Sequence, residues 1–178
     1  MLVRTGQGAE PGSTAPGQMD MTSYALRRFV VPHLGRWLLV GLFSGAVAVL
    51  IFHQGALAML HSAGLVPNAP YSMKAVGPWA VPQVWSSAFF GALWGLVLAF
   101  SLRHWDGPSL LLLSAIFGAI FPTLVAWFVV APLKHQPMAG GFHLATMWIG
   151  PVLNGLWGLG TGIGLILFGR AHLRGLRI

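Results

Sequence analysis

Four long apolar segments dominate this sequence and restrict its fold more than any other feature. They run from Trp37 to about Leu60, from about Val84 to Leu102, from Ser109 to about Ala131, and from about Leu144 to Phe168. Each supplies roughly twenty residues, and a helix of that length, rising about 1.5 Å per residue, crosses a hydrocarbon layer about 30 Å thick. The segments are apolar on all sides, so they do not fit the alternating strands of a membrane barrel. The sequence therefore predicts an all-α membrane protein with four transmembrane helices.

The composition excludes most soluble classes. Of the 178 residues, 56% are hydrophobic and only 7% are charged, whereas soluble domains carry about 25% charged residues. Because cysteine is absent, disulfides, a thiolate nucleophile and a Cys-ligated metal are excluded. The formal net charge is +7, but the basic residues lie at the ends of apolar segments. This placement indicates contact with anionic lipid headgroups in a bilayer and not with nucleic acid.

The ends of the chain differ in composition from its middle. The predicted segments are a disordered cytoplasmic tail (1–21), an interfacial segment (22–35), the four-helix transmembrane domain (36–169) and a basic cytoplasmic tail (170–178). The first tail is rich in Gly, Pro, Ser and Thr, and translation starting at Met19 or Met21 instead of Met1 would remove most of it. The interfacial segment is compatible with a short headgroup-level helix that ends near Pro32, or with an extension of the first span.

The basic residues define a topology. With the N-terminus inside, the outside holds only Lys74 and Lys134. The inside then holds all eight arginines: Arg4, Arg27, Arg28, Arg36, Arg103, Arg170, Arg174 and Arg177. Cytoplasmic loops are enriched in Lys and Arg. The sequence therefore predicts that both termini are cytoplasmic. In the tight inner turn, Asp106 is placed to cap the third helix and Pro108 to begin it.

The two halves of the domain share a pattern. The sequence Gly91-Ala-Leu-Trp-Gly-Leu96 in the second segment aligns with Asn154-Gly-Leu-Trp-Gly-Leu159 in the fourth, an offset of 63 positions. Phe43-Ser-Gly-Ala46 in the first aligns more weakly with Ile116-Phe-Gly-Ala119 in the third, an offset of 73 positions. The pattern predicts a duplicated helical hairpin, in which the halves are related by an axis along the membrane normal. Chance similarity among apolar helices is the alternative.

Small residues recur four positions apart on these segments. The pairs are Gly41 and Gly45, Gly91 and Gly95, Ser114 and Gly118, Gly158 and Gly162, and Gly160 and Gly164. In lipid, helices associate through close backbone contact more than through hydrophobic burial. We therefore expect these residues to mark helix–helix faces, within the chain or between copies. A conduit lined by glycine is the alternative.

The layout of the second half resembles a known group of proteins. It reads FGAIFPTLVAWFVVAPLKHQPMAGGFHLATMWIGPVLNGLWGLGTGIG, with a Gly-containing third span that ends in a Pro-Leu corner, then a Gly-rich outer loop and a Gly-rich last span. In these respects the chain, over about residues 37–168, resembles small four-helix bacterial inner-membrane proteins grouped as domains of unknown function. The resemblance implies a bacterial plasma membrane, and it carries over no catalytic or binding residue.

The segments hold little catalytic chemistry. None contains Asp or Glu, the residues that proton-coupled pumps and cation transporters place inside the membrane. The usual pair of carboxylates for general acid–base catalysis is also missing, and the chain has neither a GxxxxGK[ST] phosphate loop nor an HExxH motif. These observations argue against an enzyme and against ion-coupled transport.

Four histidines map to the outer half: His53, His61, His135 and His143. Methionines lie on the same side, and imidazole with thioether suits copper, especially Cu(I). Two histidines from different helices could instead ligate a haem. In the simpler alternative, interfacial histidines bond to carbonyls, headgroups or water. Asn154 is a strongly polar residue inside the fourth span, and it predicts an interhelical hydrogen bond or a group that orients a substrate.

Three functional hypotheses follow. The first is a non-enzymatic structural or accessory membrane component that associates with itself or with a larger complex, because packing signals are abundant and catalytic residues are few. The second is an outward-facing copper or haem site built from His53, His61, His135 and His143. The third is a small-solute channel or carrier, with glycines along a path that includes Asn154.

Overall fold

Four long helices form most of the computed structural model, which describes residues 34–169. They are α1 (Leu34–Ser62), α2 (Gln83–Ser101), α3 (Gly107–Leu133) and α4 (Leu144–Gly169), and each is long and apolar enough to cross a membrane. The prediction of an all-α fold with four transmembrane helices is confirmed. The predicted ends of the spans lie within three residues of the observed helix ends, because a run of apolar residues is a local property of the sequence.

The connections between the helices have unequal lengths. The α1–α2 connection contains a short antiparallel hairpin of β1 (Ala75–Val76) and β2 (Val81–Pro82). The α3–α4 connection contains a 3₁₀ turn, Met138–Phe142. We call the end of the bundle that carries residues 63–82 and 134–143 the outer end, following the predicted topology, and the opposite end the inner end.

The inner turn between α2 and α3 is tight. Asp106 immediately precedes α3 and Pro108 lies in its first turn, but the Asp106 side chain makes no capping hydrogen bond to that turn. At the same end, an Arg36 guanidinium nitrogen donates to the Phe168 carbonyl oxygen at 3.4 Å, and an Arg103 nitrogen donates to the Phe100 carbonyl oxygen at 2.8 Å. These two arginines therefore lie at the end opposite the two lysines.

Glycines join α1 to α2. A β-carbon added to Gly45 would meet the Gly91 carbonyl oxygen and lie 2.9 Å from Gly95 Cα. One added to Gly95 would meet the Gly41 carbonyl oxygen and lie 2.9 Å from Gly45 Cα. The two backbones are therefore in direct contact, and only glycine fits at these positions without separating the helices.

The second hairpin, α3 with α4, repeats this contact with its equivalent residues. A β-carbon added to Gly118 would meet the Asn154 carbonyl oxygen and lie 3.0 Å from Gly158 Cα. One added to Gly158 would meet the Ser114 carbonyl oxygen and lie 3.1 Å from Gly118 Cα. The four residues are those that the sequence offsets of 73 and 63 assign to Gly41, Gly45, Gly91 and Gly95. The two hairpins thus share one contact geometry as well as a sequence pattern.

The hairpins contact each other along two seams that differ. In the α1–α4 seam, β-carbons on Gly160 and Gly164 would meet the Phe52 ring and the Ser44 side chain. In the α2–α3 seam, the rings of Trp94 and Phe117 meet edge to face, with 6.1 Å between centroids. The helices therefore pack in the cyclic order α1, α2, α3, α4.

The buried core is thin, as expected for a bundle surrounded by hydrocarbon. Leu98, Leu110 and Leu165 are fully buried near the inner end. Large apolar side chains point outward from every helix, among them Leu39, Phe43, Val47, Ile51, Phe89, Phe90, Leu93, Val97, Leu112, Ile116, Ile120, Phe121, Val152, Leu156, Leu167 and Phe168. In water these side chains would be a large exposed apolar surface, whereas lipid chains solvate them.

Three predicted segments lie wholly or mostly outside the described residues. These are the disordered tail (1–21), residues 22–33 of the interfacial segment and the basic tail (170–178). Leu34 and Gly35, the last two residues of the interfacial segment, form the start of α1.

Candidate functional site

The outer half of α1 contains a π-helical segment, Val49–His53. In it, the Gln54 N–H reaches the Val49 carbonyl oxygen, five residues back. The buried positions of the helix therefore advance by four residues from Gly41 to Gly45 and on to Val49, but by five from Val49 to Gln54. The extra residue turns the polar Gln54 side chain into the protein. Single π-helical turns inside α-helices are frequent at functional sites.

The α1–α2 connection docks onto this segment through Tyr71. The Tyr71 backbone N–H donates to Gln54 Oε1 at 2.7 Å, and its phenol donates to the Leu50 carbonyl oxygen at 2.9 Å. Tyr71 adopts a left-handed conformation with φ of 50°, which is uncommon for residues other than glycine and is retained where surrounding contacts hold it. We call Leu50, Gln54 and Tyr71 the outer clasp.

A second contact holds the start of the same connection. The His61 Nδ1–H donates to the Val66 carbonyl oxygen at 3.0 Å, and the Val66 side chain is buried. The connection therefore folds back on the outer end of α1. Hydrogen bonds between the connection and nearby residues of α1 therefore hold the connection in place.

The four predicted ligand histidines lie on separate elements at the outer end. His53 is in the π-helical segment, where its buried Nδ1 has no hydrogen-bond partner among residues 34–169. His61 is in the last turn of α1, His135 has φ of 54° in the α3–α4 connection, and His143 precedes α4. Within residues 34–169, no group of three or more His, Asp or Glu side chains is placed to hold a metal ion. Copper or haem binding by these histidines stays a prediction.

Three polar side chains within the membrane-spanning helices donate hydrogen bonds to a neighbouring helix. Asn154 Nδ2 of α4 donates to Thr123 Oγ1 of α3 at 2.9 Å. Trp157 Nε1 of α4 donates to the Gly45 carbonyl oxygen of α1 at 2.9 Å. Trp37 Nε1 of α1 donates to the Ala99 carbonyl oxygen of α2 at 2.8 Å. These three bonds link α1 to α2, α3 to α4, and α4 to α1.

One buried hydroxyl in the second hairpin differs from these groups. Ser114 Oγ is fully buried and has no hydrogen-bond partner within the described part of the chain. A β-carbon added to Gly162 would lie 2.8 Å from that oxygen, so the hydroxyl fills the space that a glycine on α4 leaves. The position of Ser114 is thus explained by its small size more than by its hydrogen-bonding capacity.

Carboxylates do not contribute to any site inside the bundle. The only acidic residue in residues 34–169 is Asp106, in the inner turn. The described helices therefore supply neither the carboxylate pair of a general acid–base catalyst nor a carboxylate for a translocated cation.

Sequence reasoning missed the outer clasp. Its signal was Gln54, a polar residue inside an apolar span, which must find a hydrogen-bond partner when it is buried. Gln54 directly follows His53, one of the four histidines for which the sequence predicts ligand chemistry. Tyr71 itself stands among apolar loop residues and carries no distinguishing pattern.

The fold and these contacts define a multi-pass α-helical membrane protein. Comparisons of the chain with protein-family models, with curated proteins and with solved structures found no match. The resemblance to small bacterial inner-membrane proteins therefore stays a prediction from the sequence layout.

Proposed function

We propose that this chain is a non-enzymatic structural or accessory component of a bacterial inner membrane, associated with itself or with a larger membrane complex. The observation that carries the proposal is the use of the intramembrane polar groups. Asn154 bonds to Thr123 and Trp157 bonds to the Gly45 carbonyl, so side chains that would serve a substrate in a transporter hold helices together here. The bacterial inner membrane follows from the layout resemblance.

The surface for association is the outward face of the helices. The pairs Gly41/Gly45 and Gly91/Gly95 are already in contact with each other inside the chain. Gly158 and Gly162 likewise lie against α3. A second copy or a partner therefore meets the exposed aliphatic and phenylalanine side chains and not these glycines.

Native mass spectrometry tests the proposal. The tagged chain is extracted from its own membrane in a mild detergent, and the mass of the released particle is measured, with crosslinking in the membrane before extraction as a second readout. We expect a homo-oligomer or a stoichiometric complex. A monomer without co-purifying protein, in both readouts, contradicts the proposal.

The proposed topology places both termini in the cytoplasm. It is supported by the position of Arg36 and Arg103 at one end of the bundle and of Lys74 and Lys134 at the other. Because the chain has no cysteine, single substitutions Asn68→Cys and His104→Cys give unique labelling sites. In intact cells, a membrane-impermeant maleimide should label only the first, and both after permeabilisation. The reverse pattern contradicts the orientation.

A second candidate function is ligand binding by the outer histidines. It is favoured by the buried Nδ1 of His53, which has no partner in the described part of the chain. It is also favoured by the geometry of His61, whose Nδ1–H is bonded to a carbonyl, so that Nε2 is the nitrogen available to coordinate a ligand. Metal analysis and an absorption spectrum of protein from its own membrane test it. A bound metal or a Soret band that His53→Gln removes and His104→Gln keeps supports the site, and wild-type protein with neither contradicts it. The channel hypothesis has no such support, since its glycines lie against neighbouring helices.

A further inference from the structure

The most exposed large apolar side chains in residues 34–169 do not lie on the middle of the spans. They are Trp79 (86% exposed), Leu144 (84%), Leu133 (76%) and Met59 (74%), and all four lie at the outer end. The most exposed one on the middle of a helix is Phe43, at 65%. We call these four residues the outer rim. In an aqueous environment these four side chains would leave exposed apolar surface at the outer end of the bundle.

The outer rim surrounds the bundle. Met59 lies in the last turn of α1, Leu133 ends α3 and Leu144 begins α4. Trp79 lies in the hairpin that leads directly into α2. Three helices and the hairpin that leads into α2 therefore each contribute one member at the outer end. A partner that docks from one side covers one or two helices, whereas a bilayer meets all four.

The hairpin holds Trp79 in a fixed place relative to α2. Val76 pairs with Val81 across the two strands, and Trp79 lies in the turn between them. The base of the hairpin is tied to the start of α2, because the Gln83 N–H donates to the Lys74 carbonyl oxygen at 2.9 Å. The indole is thus presented by a short, hydrogen-bonded structure and not by an open loop.

The charges at the outer end match a lipid headgroup layer. Residues 63–82 and 134–143 contain Lys74 and Lys134 and no carboxylate. Both lysine side chains are exposed. Lipid phosphates provide negative charge for the two ammonium groups, and tryptophan is enriched where headgroups meet acyl chains.

We infer that the outer rim lies in the headgroup–acyl boundary of the bilayer, with the Trp79 side chain inserted among lipids and Lys74 and Lys134 bound to lipid phosphate. The α1–α2 connection is then a membrane-interfacial structure and not an aqueous loop. This inference depends on the membrane-spanning fold, and it goes beyond the proposed role of the chain as a structural or accessory component.

Quenching of a single fluorophore tests the inference. Trp79→Cys provides one thiol in a chain without native cysteine, and the thiol is labelled with an environment-sensitive nitrobenzoxadiazole. The protein is reconstituted in vesicles of equal parts phosphatidylcholine and phosphatidylglycerol. A lipid with a nitroxide high on the acyl chain reports insertion, and aqueous iodide reports exposure. Asn68→Cys, an exposed polar site in the same connection, and Phe43→Cys, on a lipid-facing helix surface, are labelled as controls.

We expect the label at position 79 to be quenched by the nitroxide lipid and to be several-fold less sensitive to iodide than the label at position 68. Iodide quenching equal to that at position 68 overturns the inference. Insensitivity to both quenchers also overturns it, because the site is then covered by protein. If the label at position 43 escapes the nitroxide lipid and is quenched by iodide, the membrane-spanning fold itself fails, and this outcome is distinct from failure of the inference.

A second measurement tests the lysines. With the label at position 79, nitroxide on phosphatidylglycerol should quench more strongly than nitroxide on phosphatidylcholine, since anionic lipid is enriched near the two ammonium groups. Replacing both residues, Lys74→Gln and Lys134→Gln, should remove that difference. Equal quenching by the two lipids before the replacement contradicts the assignment of lipid phosphate to the lysines.

Discussion

The indole nitrogen of Trp157 in α4 donates a hydrogen bond to the carbonyl oxygen of Gly45 in α1 at 2.9 Å, and the two residues are 112 positions apart. Gly45 also lies against Gly91 of α2. Gly45 of α1 therefore contacts two other helices. Because it has no side chain, α2 packs directly against it, and its carbonyl oxygen accepts a hydrogen bond from α4. The repeat equivalent of Trp157 is Trp94, which instead meets Phe117 edge to face in the other seam. The two seams between the hairpins are therefore held together by different interactions.

This difference predicts unequal effects of one substitution at equivalent positions. Trp157→Phe removes the donor of a buried bond between hairpins, and interhelical hydrogen bonds in membrane proteins contribute roughly 0.6 kcal/mol on average and up to about 1.7 kcal/mol. We expect the free energy of unfolding of the Trp157→Phe variant to be about 1–2 kcal/mol lower than that of the wild type, because the Gly45 carbonyl also loses its hydrogen-bond partner. Trp94→Phe, the matched control, should cost less, since a phenyl ring can still contact Phe117.

The measurement is reversible unfolding in mixed micelles of a mild detergent and dodecyl sulfate, followed by far-ultraviolet circular dichroism. Equal loss of stability in the two variants would mean that the Trp157 bond adds nothing beyond ring packing.

The glycine contacts predict a second matched set. Gly45→Ala and Gly118→Ala each place a β-carbon against a carbonyl oxygen of the neighbouring helix. The helices must separate, and overpacking of this kind costs about 1–3 kcal/mol. Gly55→Ala on α1 is the control, because nothing lies within 4 Å of its added β-carbon. It should leave the stability unchanged or raise it by up to about 1 kcal/mol through helix propensity.

The same unfolding assay measures these variants. Distances between spin labels report the helix separation directly, with labels on α1 and α2 for Gly45→Ala and on α3 and α4 for Gly118→Ala. Gly45 and Gly118 are at equivalent positions of the sequence pattern and make the same kind of contact. The two alanine variants should therefore lose similar amounts of stability. A large loss at one position and none at the other would contradict the shared contact geometry.

The spans and the helix-to-helix faces could be predicted from the sequence because both depend on local patterns. The apolar runs define α1 to α4 to within three residues, and small residues four apart identify the positions where Gly45 meets Gly91. The offsets of the repeat relate that contact to the one between Gly118 and Asn154 in the second hairpin. At these positions the local sequence pattern and the observed helix packing are consistent with each other.

The outer clasp could not be predicted for a different reason. It depends on one extra residue in the π-helical turn of α1, and such an insertion leaves no trace in hydropathy. The pairing of Tyr71 with Gln54 spans 17 positions across a connection without periodicity. The pairing of α4 with α1 spans 112 positions, and several cyclic orders of four apolar helices satisfy the same sequence pattern.

The bond between Asn154 and Thr123 predicts a measurable coupling. Thr123→Val and Asn154→Leu each remove one partner of the 2.9 Å hydrogen bond. A double-mutant cycle should give a coupling energy of roughly 0.6–1.7 kcal/mol, the range found for such bonds within membranes. The Asn154 backbone carbonyl contacts Gly118 in any case, so the side-chain change leaves that helix contact in place. Additive losses, with no coupling, would show that the side-chain bond does not hold α3 to α4.

The outer clasp predicts how firmly the α1–α2 connection is held. Tyr71→Phe removes the phenol bond to the Leu50 carbonyl and keeps the ring, and the net contribution of such a bond is about 0.5–1.5 kcal/mol. Amide hydrogen exchange at Tyr71 and its neighbours in the connection should therefore become roughly 2- to 10-fold faster, because the free energy of local opening falls by that amount. Gln54→Leu, which removes the acceptor of the Tyr71 N–H, should have a similar effect. The control is Ser62→Ala, since the Ser62 hydroxyl bonds within its own helix, to the Met59 carbonyl oxygen. Hydrogen exchange followed by mass spectrometry resolves the connection as separate peptides, and unchanged exchange in both clasp variants would mean that other contacts hold the loop on α1.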